Sequence, residues 1–324
     1  MMQRRQILQL GMGLGLGVNA AARESLVWQE RSLVGFGTTL WIKAAHTDAG
    51  RLQQALNESV KAIRSVEKQM SLFDPDSAVS RLNRQGELRK PDAQLLSVLT
   101  LAQYVSRRSA GAFDVTMQPL WGLWSLHSQT QTVPSAKAIS QTRSLVNWRA
   151  LTVSPEVVRF NVKGMGVSLN GIAQGYAADK VRSVLQAHGV QHALIDTGET
   201  TLLGQSPKGD AWRFAVEPSV ASNEAPPVIH PNGWALATSS DAHTVFSADH
   251  MHHHILNPQT GDSPTHWATV SVIAPSCALA DALTKVFFMC PPQGVERLAK
   301  AWGVDVVLQD KRGKWYSYQS TQMS

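Results

Sequence analysis

Two oppositely charged residues lie four positions apart in a segment that is otherwise almost entirely apolar. Asp281 and Lys285 belong to residues 276–289, whose hydrophobic side chains leave almost no polar face and so predict a buried helix. Residues four apart lie on one side of a helix, so an internal ion pair is one interpretation. Burying charges is costly unless something compensates for it. The interpretation that we prefer is a functional Asp281, which either binds a hard cation or orients a ligand.

A second candidate site is the start of another predicted helix, at 171–188. Asn170 is expected to cap this helix, and Gly171 and Ala173 in its first turn are small. Small residues at a helix start leave backbone amides that a phosphate group can approach. Close packing of the helix against a sheet would need the same small residues, so this segment alone does not establish a phosphate site.

The third candidate is the run of histidines at 252–254. In a strand, His252 and His254 would share a face, because alternate residues point the same way. A zinc site would need a third close ligand, and the sequence offers none at a recognisable spacing. One histidine of this run is therefore expected to act as a general base near neutral pH.

The remaining reactive residues have structural interpretations. Asp114, which follows a predicted helix, is expected to cap the next turn, with a ligand contact as the alternative. Cys277 and Cys290 are expected to be small apolar fillers, with a disulfide as the alternative. Hydrolysis by a Ser-His-Asp triad is not supported, because the sequence lacks a Gly-x-Ser-x-Gly turn.

The elements that position these residues predict an α+β fold. Helical periodicity predicts helices at 48–73, 77–82, 92–109, 171–188, 276–289 and 294–302. Apolar or alternating runs predict strands at 33–44, 151–153, 157–161, 192–195, 212–217, 235–238, 269–273, 304–308 and 315–317. Residues 125–144, rich in Gln, Ser and Thr, are expected to form a loose surface excursion. Strands joined by hairpins, with few crossover helices, favour α+β over a doubly wound sheet.

Residues 1–22 have the parts of an export signal. Arg4 and Arg5 precede a glycine-diluted apolar run at 7–18, and three alanines follow. Paired arginines favour the twin-arginine route, so we expect a periplasmic protein whose single domain spans 23–324. The run is too short to span a bilayer, so stable membrane insertion is not expected. The net charge of +6, or +4 without the two arginines, is too small to indicate nucleic-acid binding.

Seven segments, in the same order along the chain, resemble the ApbE family, the FAD:protein FMN transferases. They are 35–38 (GFGT), 70–83 (MSLFDPDSAVSRLN), 109–120 (SAGAFDVTMQPL), 168–179 (SLNGIAQGYAAD), 237–240 (ATSS), 254–261 (HILNPQTG) and 280–283 (ADAL). Such enzymes transfer the FMN half of FAD to a Thr or Ser hydroxyl of a target protein and release AMP. The resemblance implies a T-fold-like core with antiparallel-rich sheets and packed helices. It also implies that the FAD diphosphate lies near helix starts, where Mg²⁺ neutralises charge as the phosphoanhydride breaks.

The resemblance assigns roles to individual residues. The candidate catalytic residues are Asp281, Lys285 and His254. Of these, His254 would activate the acceptor hydroxyl. The candidate metal ligands are Asp281, Thr284 and the backbone carbonyl of Ala173. The candidate contacts with the flavin dinucleotide are Phe36, Asp114, Asn170, Gly171, Ala173, Gln174, Tyr176, Thr238, Ser239 and His254.

Lys285 departs from the family pattern, which has a metal-binding threonine at this position. Thr284 stands one residue early, and one helical step turns a side chain by about 100°, so it does not simply substitute. The Lys285 ammonium would either pair with Asp281 and displace the ion or contact the phosphates itself. Ser168 and Asn257 also replace family aspartates, and Gln174 replaces a lysine. We therefore expect a divergent FMN transferase whose Mg²⁺ requirement is weak or absent.

Two other functions stay open at this point. The chain would be a non-catalytic FAD-binding or flavin-assembly protein if it held FAD without releasing AMP. It would be an FAD pyrophosphatase if water replaced the acceptor hydroxyl. For the transferase, the expected partner is an acceptor flavoprotein, either a subunit of a membrane redox complex or a periplasmic reductase.

Overall fold

In a computed structural model of the chain, residues 25–130, 132–247 and 251–320 are described. The expected export signal at 1–22 lies outside them. The α-helices of the described residues are α1 (Ala49–Met70), α2 (Ala78–Gln85), α3 (Ala93–Arg108), α4 (Gln118–Gln129), α5 (Ala136–Arg143), α6 (Ala173–Ala187), α7 (Cys277–Phe288) and α8 (Val295–Trp302). Short 3₁₀ turns lie at Val115–Met117, Trp148–Ala150 and Pro292–Gly294.

The strands form one large antiparallel sheet and two small ones. They are β1 (Val27–Gly35), β2 (Thr38–His46), β3 (Glu87–Arg89), β4 (Leu151–Val153), β5 (Val157–Phe160), β6 (His192–Asp196), β7 (Thr200–Leu203), β8 (Phe214–Ala215), β9 (Val228–Ile229), β10 (Ala235–Ser240), β11 (Trp267–Ala274), β12 (Asp305–Asp310) and β13 (Trp315–Tyr318). The large sheet has the order β1-β2-β6-β7-β10-β11-β12-β13. Strands β3, β5 and β4 form the second sheet, and β8 pairs with β9.

The large sheet is covered by hydrophobic clusters on both faces. Ile195 of β6 packs with residues of α1 and α6, whereas the neighbouring Leu194 belongs to a cluster around Trp212. Likewise Val306 of β12 packs with α3 and α7, and Val307 joins the Trp212 cluster. Neighbouring strand residues point to opposite faces, so this alternation places α1, α3, α6 and α7 on one side of the sheet.

The sequence predicted most of this architecture. The α+β class is confirmed, and α1, α3, α6 and α7 lie within the predicted helical segments. The segment at 125–144 is a surface segment as expected, since α5 has no buried residue, but the expected loose structure is wrong, because α4 continues to Gln129 and α5 forms a further helix. The predicted strand at 212–217 shrinks to β8, and β7 was missed.

Two further expectations concern the cysteines and membranes. Cys277 is buried and Cys290 half-buried, and both are free thiols, so the filler interpretation is confirmed. Among the described residues, no helix combines the length and the apolar character needed to cross a membrane.

Candidate active site

The ion pair predicted on α7 forms, and its carboxylate is fully buried. Asp281 is 0 % exposed, and its Oδ1 is paired with the Lys285 ammonium. The same ammonium donates to the backbone carbonyl of Asp281 at 3.1 Å. The other carboxylate oxygen, Oδ2, accepts from the backbone N–H of Gly175 on α6, at 3.3 Å. Asp281 therefore joins Lys285 to the first turn of α6.

The start of α6 lies next to Lys285, but Asn170 does not cap it. The helix begins at Ala173 with Ile172 in the capping position. Ile172 makes no side-chain cap, but Ala173 N donates to Leu169 O and Gly175 N donates to Asp281 Oδ2. The expectation for Asn170 is wrong because the N–H groups of Ile172 and Ala173 both donate to Leu169 O, which delays the helix by two residues. A Cβ added to Gly171 would lie 3.1 Å from Lys285 Cε. The Lys285 side chain thus lies beside the segment that leads into α6, and the start of a helix carries partial positive charge.

The hydroxyl groups expected near a metal ion are bonded within the protein. Thr284 Oγ1 donates to the backbone carbonyl of Asp281 at 2.7 Å and lies 2.8 Å from Ser239 Oγ on β10. Thr238 donates its N–H to Glu199 Oε2 at 2.8 Å, and its hydroxyl meets that of Ser271 at 2.9 Å. The structure thus places Ser239 beside α7 and joins Thr238 to a buried carboxylate that the sequence analysis missed.

These residues do not fit a divalent metal ion. A metal at Asp281 Oδ1 would have to displace the Lys285 ammonium, and the Thr284 hydroxyl points at a backbone carbonyl. No group of three or more His, Cys, Asp or Glu side chains in the described ranges could hold a metal ion. The fixed positive charge at this site is therefore the ammonium.

The three histidines occupy three different environments. His253 is fully buried. Its backbone N–H donates to Ser263 Oγ at 2.8 Å, and the Ser263 hydroxyl donates to the backbone carbonyl of His253 at the same distance. His252 Nδ1 lies 2.6 Å from Asp262 Oδ1, while His254 Nδ1 lies 3.3 Å from the carbonyl of Thr244. The segment is not a regular strand, so a shared face for His252 and His254 is not borne out.

His254 is the histidine whose charge state is coupled to Lys285. Enclosure of its ring lowers the pKa of His254 to about 3, and the charges of His253, His243 and Lys285 add to this effect, although the residue as a whole is half-buried. The ring is therefore neutral at pH 7. With its proton on Nδ1 facing Thr244, Nε2 keeps a lone pair, but a pKa of about 3 makes it a much weaker base than the general base near neutral pH that the sequence predicted.

The other predicted site residues have structural partners. Asp114 is buried and accepts from Thr116 N, Thr116 Oγ1 and Trp148 N at 2.7 to 2.9 Å, so the cap interpretation is confirmed. Phe36 forms the β1–β2 turn with φ of 50°, and its N–H donates to Glu67 of α1. Gln174 packs against Gly198, where an added Cβ would lie 2.2 Å from Nε2. Tyr176 is half-buried. Their contacts with a ligand remain predictions.

His253 predicts a specific loss of stability in acid. Burial lowers the pKa of His253 to about 4 from its ordinary value of 6.5. Between these values the unfolded chain binds a proton that the folded chain does not, so the unfolding free energy falls as pH falls, by roughly 1.4 kcal/mol per pH unit. His254, whose pKa is also lowered, contributes in the same pH range, so His253→Asn should reduce the slope by its own share of roughly 1.4 kcal/mol per pH unit in urea unfolding between pH 7 and pH 4.5. His230→Asn, at an exposed position, should keep it; equal slopes in both variants would contradict the prediction.

Comparisons with known proteins agree with this architecture. The ApbE family model matches residues 36–308. A Vibrio cholerae protein named FAD:protein FMN transferase is 30% identical over 259 residues, which is 76% of this chain and 77% of the relative. The solved structure of the flavin transferase ApbE from Vibrio cholerae has a TM-score of 0.78 at 26% identity. The match covers 92% of this chain and 98% of the Vibrio cholerae chain. The flavinyl transferase ApbE from Pseudomonas stutzeri, in its apo form, also reaches 0.78 at 27% identity, with 92% and 96% covered. The chain therefore belongs to the ApbE family.

Proposed function

We propose that this chain transfers the FMN half of FAD to a Ser or Thr hydroxyl of an acceptor protein and releases AMP. Membership of the ApbE family and the names of the relatives support this activity. The observation that carries the proposal is that the Lys285 side chain lies beside the start of α6, where Ile172 provides no side-chain cap. A diphosphate is the part of FAD that such a positive site binds.

The proposed reaction is an in-line displacement at phosphorus. The acceptor oxygen attacks the phosphorus on the FMN side, a new P–O bond forms, and the P–O bond to AMP breaks. AMP leaves with the electron pair of that bond. Catalysis of this kind depends mainly on positioning and on stabilising charge at the phosphoryl oxygens, which is the role proposed for Lys285.

His254 is the proposed acceptor of the hydroxyl proton. Nε2 is the ring atom that does not face the Thr244 carbonyl, and the negative charge of a bound diphosphate would raise the pKa of His254 towards neutral pH. The Lys285 charge contributes to lowering the pKa of His254, which supports a ring close to the ammonium. Asp281 does not contact the substrate in this scheme; its bond to Gly175 N and its pairing with Lys285 orient the ammonium.

The proposed enzyme does not require Mg²⁺ for its positive charge. In related chemistry a divalent ion neutralises the phosphates, whereas here Asp281 already holds an ammonium and Thr284 bonds to the protein. Lys285 supplies one positive charge where a metal would supply two. The partial positive charge at the start of α6 adds to it.

The proposed location and partner follow from the sequence. The arginine pair at the N-terminus and the apolar run behind it support export to the periplasm. The acceptor would then be a periplasmic reductase or the exported part of a membrane redox complex. Fractionation of cells that express the full chain tests the location, and recovery of the mature protein in the cytoplasm alone would contradict it.

The test of the activity is incubation of the mature protein with FAD and a set of Ser- and Thr-containing peptides. Mass spectrometry then detects FMN on a peptide, and chromatography detects AMP and free FMN. AMP together with FMN-modified peptide supports the transferase. AMP with free FMN and no modified peptide would establish the pyrophosphatase instead, and bound FAD without AMP would establish a binding protein. His254→Ala should slow AMP release, while His230→Ala, at an exposed position, should not.

A further inference from the structure

A half-buried carboxylate of α6 holds the start of α7. Asp179 Oδ1 accepts from Cys277 N at 2.8 Å, and Oδ2 accepts from Ala278 N at 2.9 Å and Ser276 Oγ at 3.0 Å. The first amides of a helix have no partner within the helix, and here a side chain from a different helix binds two of them. Asp179 therefore connects α6 to α7 at one point.

The backbone of the two helices meets one turn away from this connection. A Cβ added to Gly175 would lie 2.3 Å from the carbonyl oxygen of Cys277, so the helices approach as closely as a glycine allows. Asp179 lies four residues after Gly175 on α6, and Asp281 lies four residues after Cys277 on α7. The carboxylate clamp and the glycine contact together fix both the distance between α6 and α7 and the rotation of α7.

The rotation of α7 decides where Asp281 and Lys285 point. One residue of helix corresponds to about 100° of rotation, so a modest turn of α7 would carry Asp281 Oδ2 away from Gly175 N. At present that bond is 3.3 Å, near the limit for a hydrogen bond. The Lys285 stem lies beside the segment that leads into α6, with its Cε 3.1 Å from a Cβ placed on Gly171. The ion pair forms within α7, so the rotation of α7 decides how the pair is presented to the start of α6 and not whether it forms.

We propose that Asp179 is a positioning residue, which sets the orientation of the Asp281–Lys285 pair by clamping the first turn of α7. The expected effect of Asp179 on the reaction rests on the proposed transfer of FMN. Its expected effect on the orientation of the ion pair does not, because that effect concerns only the arrangement of α6 and α7. An ordinary helix cap would stabilise α7 without affecting the pair, and this difference makes the proposal testable.

The test compares Asp179→Ala with Asp48→Ala in the mature protein, residues 23–324. Asp48 is the matched control, because its carboxylate caps α1 through Gly50 N and Arg51 N at 2.8 and 3.0 Å. Both variants should lower the melting temperature. Only Asp179→Ala should raise the rate at which an amine-reactive reagent labels Lys285, measured peptide by peptide with mass spectrometry, and the expected change is several-fold. Its kcat for FMN transfer should also fall by about 10- to 100-fold, with a smaller change in KM for FAD.

A second variant covers the case in which Asp179→Ala does not fold. Asp179→Asn keeps the size of the side chain and one acceptor oxygen, so an intermediate labelling rate and kcat are expected. Labelling of Lys285 at the wild-type rate in a folded Asp179 variant would overturn the proposal. If the protein showed no FMN transfer at all, the proposed function would fail while the labelling result would still decide the role of Asp179.

Discussion

Lys285→Met is expected to lower kcat for FMN transfer by about 100- to 1,000-fold, the range seen when one charge-stabilising donor is removed from an active site. Methionine keeps the apolar stem of the side chain and removes only the ammonium. The proposed phosphate site then retains the start of α6 but loses its fixed positive charge. The measurement is the initial rate of AMP release with FAD and an acceptor peptide.

The same change should also reduce stability, and a control separates the two effects. Removing one partner of a buried ion pair typically costs about 3–5 kcal/mol, because Asp281 would remain as a buried, unpaired charge. The matched control is Lys300→Met on α8, which breaks an exposed pair with Glu296 at the same four-residue spacing. Exposed pairs contribute little to stability because solvent screens them, so this variant should keep both its stability and its activity. Wild-type kcat in folded Lys285→Met would show that the ammonium is not part of the reaction.

Metal dependence provides the complementary measurement on Lys285. The wild-type protein should keep its activity in EDTA and show no Mg²⁺ binding by calorimetry in the absence of FAD. Lys285→Thr removes the ammonium and places a hydroxyl one turn from the Asp281 carboxylate, so this variant should bind Mg²⁺ and become sensitive to EDTA. Complete loss of wild-type activity in EDTA, with recovery on adding Mg²⁺, would contradict the metal-independent site.

The sequence offered the ion pair as one of two interpretations because its signal is local. Four-residue spacing on an apolar helix places Asp281 and Lys285 on one side whatever the helix packs against. The presence of α1 follows from periodicity in the same way, and the burial of α7 follows from its apolar composition. Such features depend only on the segment itself, and the structure confirms them.

The parts that the sequence did not predict depend on contacts between distant segments. Asp179 meets α7 across nearly a hundred residues, and Glu199 meets Thr238 across 39. No periodicity in α6 marks Asp179 as a partner for another helix start. The prediction that Asn170 caps α6 is wrong for a local reason, because the turn closed by Leu169 O takes the place that a side-chain cap would have filled.

The missed helix α5 shows a different limit. It has no buried residue, so the hydrophobic periodicity that predicts helices is absent. Its available signal was the cap at Ser135, whose hydroxyl accepts from Ala138 N at 3.2 Å. A cap before a polar segment is weaker evidence than an apolar stripe, and the Gln-, Ser- and Thr-rich composition favoured a loop.

Gly175→Ala is expected to destabilise the protein by about 3 kcal/mol, at the upper end of the range for overpacked cores. The added methyl group would lie 2.3 Å from the carbonyl oxygen of Cys277 and 2.8 Å from Ala278 N. These neighbours are backbone atoms, so no side-chain rotation relieves the clash, and α6 and α7 must separate. The unfolding free energy from urea denaturation measures the effect.

Gly122→Ala is the matched control for this prediction, because Gly122 also lies within a helix, α4, and an added Cβ there meets nothing within 4 Å. Alanine at an open helical position stabilises by about 0.5–1 kcal/mol, so the two substitutions should act in opposite directions. Gly175→Ala should in addition lengthen the bond from Gly175 N to Asp281 Oδ2, which is already 3.3 Å, and so reduce FMN transfer beyond the loss of folded protein. If Gly175→Ala were as stable and as active as Gly122→Ala, the close contact between α6 and α7 that orients Asp281 and Lys285 would not exist in solution.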